Sequence, residues 1–120
     1  MSLNCEKFYE LEFYNSFVIV TIFKDVLLTL NKANIVREEI KSYYKSKDFI
    51  MITNRKFRHE VSDEVFRQGQ PSNMRGLAIV SKEKTERDIA LIQQKLYDKS
   101  FAFFTTLEEA KSWAEGYFIN

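Results

Sequence analysis

The sequence predicts an α/β domain: a mixed, mostly parallel sheet of about five strands, with an N-terminal β-hairpin and about four helices. Three observations carry that prediction. Two apolar runs stand close together near the start of the chain, separated by Asn15-Ser16. Three further short apolar runs, at 49–53, 77–81 and 101–104, alternate with stretches of helical period. Three Gly and one Pro in 120 residues leave nothing linker-like, so the organisation is one domain over 1–120.

The first run, 8–14, alternates in part and reads as a half-exposed strand. The second, Phe17-Val18-Ile19-Val20-Thr21-Ile22-Phe23, is β-branched and apolar on both faces, as a central strand is. Lys24-Asp25 turns the chain into 26–30, a short third strand. The period then changes. Ile35, Val36, Ile40, Tyr43 and Tyr44 fall on one helical face, Asn31 stands as an N-cap, and Leu30 with Ile35 has the spacing of a hydrophobic staple. After the strand at 49–53, the stretch 54–75 carries little pattern. Ser62-Asp63-Glu64 opens a short helix through Val65 and Phe66 that Gly69-Gln70-Pro71 closes. Beyond the strand at 77–81, Thr85 reads as the cap of a helix with Ile89, Ile92 and Leu96 as its inward stripe. The last helix is the clearest element. Thr105 with Glu108, or Thr106 with Glu109, forms a capping box, and Ala110, Trp113, Ala114 and Tyr117 share one face, with Gly116 as the C-cap.

Composition narrows the class. The chain is 45% hydrophobic, enough for a core without staples, and Cys5 is its one cysteine, so no internal disulfide forms. Its 18 basic and 17 acidic residues leave a net charge of +1, which provides no global field for nucleic acid or an anionic membrane. No run approaches the roughly 20 apolar residues of a membrane helix. A cytoplasmic domain is the expectation, with no cofactor and no metal: one His and one distant Cys cannot supply a zinc site.

The order of elements, together with Gly76-Leu77-Ala78-Ile79-Val80-Ser81, the segment Phe103-Phe104-Thr105-Thr106-Leu107-Glu108-Glu109-Ala110 and Trp113, resembles the SpoIIAA-like group of the STAS superfamily. More narrowly, it is similar to small bacterial STAS/SEC14-domain-like proteins of uncharacterised function, over residues 8–117. The resemblance implies a regulatory or protein-interaction domain, and its SEC14-like side implies an apolar ligand or lipid. The best-known members, anti-sigma-factor antagonists, switch on a phosphorylatable Ser preceded by Asp, just after a central strand. The matching stretch here, Ile52-Thr53-Asn54-Arg55-Lys56-Phe57-Arg58, contains no Asp-Ser pair, and its hydroxyl is Thr53.

Candidate sites follow from a general rule: in open α/β sheets ligands bind beyond the carboxyl ends of parallel strands. Three such ends gather Thr53, Asn54, Arg55 and Lys56, then Ser81 and Lys82, then Thr105. They form a rim of hydroxyls, an amide and cations, suited to a small anion, a lipid headgroup or a protein partner. The simpler reading makes the threonines caps and the cations solvated. His59 has no nucleophile or elbow motif beside it and reads as a surface-loop histidine, so no catalytic residues are assigned and an enzyme is not expected. The basic run from Arg55 to His59 is cancelled at once by Glu60, Asp63 and Glu64, which speaks against nucleic acid. The aromatic first strand, read as a sheet edge, invites homodimerisation.

Overall fold

Parallel strands need a long connection between them, commonly a helix that crosses over the sheet. The computed structural model describes residues 7–57, 59–97 and 99–118, so Cys5 and Arg58 lie outside the described residues. The chain runs β1 (Tyr9–Phe13), β2 (Phe17–Ile22), β3 (Leu27–Leu28), α1 (Leu30–Tyr44), β4 (Phe49–Asn54), β5 (Glu60–Val61), α2 (Glu64–Arg67), β6 (Met74–Val80), α3 (Lys84–Gln94), β7 (Ser100–Phe104) and α4 (Leu107–Tyr117). Five strands make one sheet in the order β1-β2-β4-β6-β7. The hairpin β1–β2 is antiparallel, with Leu11 opposite Val20, and every other pair is parallel. β3 and β5 form a separate two-stranded parallel ribbon, Leu27 opposite Glu60. No helix among the described residues is long and apolar enough to cross a membrane.

The strand period of two divides the core. Val18, Val20, Ile22, Phe49, Leu77 and Ile79 face one side, where α1, α2 and α3 lie. Phe17, Ile19, Ile50, Ile52, Ala78 and Val80 face the other, against Ala110 and Ala114 of α4. Those two alanines are fully buried, which lets the α4 backbone approach the sheet closely. Gly76 does the same between strands: a Cβ there would stand 3.1 Å from Ile50 Cδ1 and 3.3 Å from the Ser100 carbonyl oxygen.

Local signals resolve differently from the sequence expectation at several points. Thr29, not Asn31, caps α1, accepting from the Lys32 amide at 3.3 Å. Ile35 and Tyr43 lie outside the buried stripe of Ala33, Val36, Arg37, Ile40 and Tyr44. Tyr44 is held because its hydroxyl hydrogen is shared by the carbonyls of Tyr14 and Phe17, at 2.7 and 2.6 Å. Thr106 caps α4 and shares the Glu109 carboxylate with Thr105, whereas Gly116 lies inside the helix and Phe118 is its C-cap.

The largest departure is α3. Its expected inward residues Ile89 and Ile92 are 45% and 66% exposed, and Leu96 is only partly buried. Glu86, Ala90 and Gln93 face the sheet instead. Thr85 is exposed in the first turn and is not the cap, because the cap position is Glu83, whose amide is taken by the Ser81 hydroxyl at 3.1 Å. The cause of the rotation is Arg55. Its side chain is 2% exposed beneath α3 and needs acceptors there. An uncompensated buried charge costs about 3–5 kcal/mol. Leaving two isoleucines partly exposed forfeits about half of the 1.5–3 kcal/mol each could gain. The polar face is thereby the better one to bury.

Candidate functional site

At the end of β4 the alternation of faces decides which side chain does what. Asn54 and Lys56 project to the α4 side of the sheet, and Thr53 and Arg55 to the α3 side. The Arg55 amide still bonds the Val80 carbonyl at 2.8 Å, and the Ser81 amide bonds the Phe104 carbonyl at 3.1 Å, so the three strand ends stay in register past their last ladder residues.

Beyond those ends lies a cleft of about 490 Å³, lined by Asn54, Arg55, Lys56, Ser81, Lys82, Thr105 and Thr106, together with Glu83 and Glu108. Six of the seven predicted rim residues thus meet at one concavity. Thr53 does not. It faces a cavity of about 40 Å³ inside the α3-side core, among Met51, Leu77 and Ile79. Nor do all six offer their functional groups outward. Ser81 is 4% exposed and spends its hydroxyl on the Glu83 amide. Arg55 turns its guanidinium inward, Nη1 lying 3.6 Å from the Glu86 carboxylate and Nη2 donating to Gln93 Oε1 at 3.0 Å. Asn54, Lys56 and Lys82 are left as the rim's available groups, with Thr105 offering only an acceptor because its hydroxyl hydrogen goes to Glu109.

Behind Arg55 sits a set of buried polar groups that the sequence reading did not foresee. His59 is not a surface histidine: it is 7% exposed, and its Nδ1 lies 3.3 Å from the Phe57 carbonyl. A carbonyl can only accept, so Nδ1 carries the hydrogen and Nε2 of the neutral ring is an acceptor. Burial, with the Arg55 charge nearby, holds the imidazole below its ordinary pKa, outweighing the opposing pulls of the Phe57 carbonyl and Glu86. Burial likewise lowers the Arg55 and Arg37 guanidinium values, although Glu86 counters this at Arg55.

Arg37 is a clamp. It donates to the carbonyls of Val65 and Gln68 at 2.5 and 2.9 Å, tying α1 to the short α2 turn. Gly69, at φ +75°, makes room for it, since a Cβ there would stand 2.6 Å from Arg37 Nη1.

Two signals in the sequence could have exposed this arrangement. Alternation along β4, continued past Thr53, assigns Arg55 to the core side. Glu86, Ala90, Gln93 and Tyr97 repeat at four, three and four residues, a helical stripe as regular as the isoleucine one. β5 left no such trace, because Glu60-Val61 is two residues long.

Comparison with solved structures finds a match to an uncharacterized protein of the DUF3478 family with a SpoIIAA-like fold, from Shewanella loihica PV-4. The two superpose with a TM-score of 0.64 at 13% sequence identity, over 95% of this chain and 98% of that one. The fold is SpoIIAA-like. At this identity the likeness is one of architecture, and the SpoIIAA-like fold hosts whatever site its own rim residues make. No protein-family model matches the sequence. No curated protein matches it either.

Proposed function

We propose that the protein is a non-enzymatic regulatory or interaction domain that acts through the rim at the carboxyl ends of its parallel strands. One observation carries this reading: Asn54, Lys56, Lys82 and Thr105, contributed by three strand ends, border a single open cleft of about 490 Å³. The chemistry of that cleft suits recognition more than reaction. Its buried hydroxyl, Ser81, is occupied by a backbone amide, and the histidine lies with the α3-side core. Nucleophilic or general-base catalysis needs both groups at one place. The stretch after β4 also lacks an Asp-Ser pair, so regulation here is by occupancy of the rim, not by a phosphorylated serine at that position.

A protein partner is favoured over a free anion because Glu83 and Glu108 stand among the lysines. Mixed charge complements a mixed surface and repels a lone anion. The cavity of about 40 Å³ in the α3-side core takes a water or two, not an acyl chain. Self-association belongs to the same proposal, since β1 and β7 are the free edges of the sheet and their unpaired backbone groups can accept another strand.

The test is a paired charge reversal, Lys56→Glu with Lys82→Glu, both at exposed positions. Cross-linked complexes formed by the unaltered protein should be lost while the unfolding midpoint stays put. An unchanged set of complexes removes the rim from consideration. Light scattering over a concentration series decides self-association.

A further inference from the structure

A second concavity, of about 570 Å³, lies on the other side of Arg55, between the β3–β5 ribbon and α3. Its walls are apolar where Leu27 and Ile89 line it, and both side chains are nearly half exposed. Its charged lining groups are all carboxylates, beside the neutral hydroxyl of Thr85. Asp25 and Glu60 stand on the ribbon side and Glu86 on the helix side. His59 lines the same cleft, is nine-tenths buried, and its Nε2 has no hydrogen-bond partner among the described residues. Since Nδ1 carries the ring hydrogen, that nitrogen is an unused acceptor, enclosed at the inner wall of the cleft.

We propose that this cleft binds a small organic cation, a protonated amine carrying a short apolar body. The sign of the charged groups that line the cleft selects the ligand. Two exposed carboxylates, Asp25 and Glu60, and an imidazole acceptor ask for a donor with positive charge, while Glu86, already paired with Arg55, adds little net charge. Leu27 and Ile89 supply the surface for the apolar part, which accounts for two large hydrophobic side chains standing open beside acidic ones. The carboxylates are spread around the cleft and do not converge: among the described residues, no group of three or more His, Cys, Asp or Glu could hold a metal ion. The cation is therefore extended and organic, not a bare metal. The size agrees, because pockets for small molecules occupy about 300–1,000 Å³. Low protonation of His59 at neutral pH follows from its burial and keeps the acceptor available.

This site is independent of the rim, and its test keeps the two apart. The ¹⁵N-labelled protein is titrated with hexylammonium, hexanol and hexanoate, which share one apolar body and differ in the head. Hexylammonium should bind with a dissociation constant on the order of 1 mM, the scale expected of so few atoms, and should shift the amides of Leu27, His59 and Ile89. Hexanol should bind several-fold more weakly and hexanoate not at all. Asp25→Asn and Glu60→Gln, both exposed, should each weaken hexylammonium roughly two- to five-fold, the value of one solvent-facing charge pair. The Lys56→Glu, Lys82→Glu protein should bind it as before. Equal binding of hexanoate, shifts centred away from the cleft, or indifference to both substitutions would overturn the proposal.

Discussion

Replacing Glu86 with Ala removes the carboxylate paired with Arg55 while leaving the guanidinium where it is. The Arg55 side chain is 2% exposed and Glu86's is 9%, so the guanidinium stays largely desolvated when the carboxylate is gone. Deleting one partner of a buried pair costs about 3–5 kcal/mol, because the remaining charge stays desolvated. The lower end applies here. The charged atoms are 3.6 Å apart, longer than a hydrogen bond, and Gln93 still accepts from Nη2 at 3.0 Å. A loss of about 3 kcal/mol follows. At an unfolding entropy of about 2.1 cal/mol/K per residue, the melting temperature should fall by roughly 12 °C. Calorimetry and urea titration measure both quantities. The double variant Arg55→Met, Glu86→Leu removes the charges together and should recover to within about 1.5 kcal/mol of the unaltered protein, since apolar replacements of a buried pair are commonly neutral or better. A Glu86→Ala protein within about 0.5 kcal/mol of the original, or a double variant no better than the single, would refute the argument that Arg55 sets the rotation of α3.

Two more expectations follow from the same region. Since burial holds His59 below its ordinary 6.5 in the folded protein, the unfolded chain binds the proton more readily, so stability is full above that value and declines as the pH drops below it; urea midpoints at about pH 7.5 and about pH 5 should differ less in His59→Gln than in the original, and equal differences would discount the histidine. Ile92→Ser, at a site 66% exposed, should change stability by less than about 0.5 kcal/mol, whereas Ala90→Leu, 1% exposed, should cost about 1–3 kcal/mol by overpacking; the reverse ranking in chemical denaturation would put the isoleucine stripe back in the core.

The rim was legible because it depends on strand ends, and strands announce themselves through continuous β-branched and aromatic runs. Phe17 to Ile22 and Phe49 to Thr53 could be little else, and the residues that follow such runs gather at one edge of a parallel sheet wherever the strands lie in it. Which way each of those residues faces was less visible. Arg55 reads as a rim cation because its type is usually solvated, although its parity with Thr53 turns it inward. His59 reads as exposed for the same reason, in a stretch whose ribbon strand, Glu60–Val61, is too short to show a period.

Sequence alone determined the order of the elements other than β5, the N-terminal hairpin, the α4 face of Ala110 and Ala114, and hence the SpoIIAA-like architecture, because those features arise from periodicity within one segment. Tertiary structure decided the strand order, the rotation of α3 and the burial of Arg55 and His59. The α3 sequence carries two competing stripes, Ile89 with Ile92 and Glu86 with Gln93, and no property of the helix chooses between them. The choice was made by a guanidinium arriving from β4, 31 residues earlier in the chain than Glu86. A buried charge outweighs part of two isoleucines.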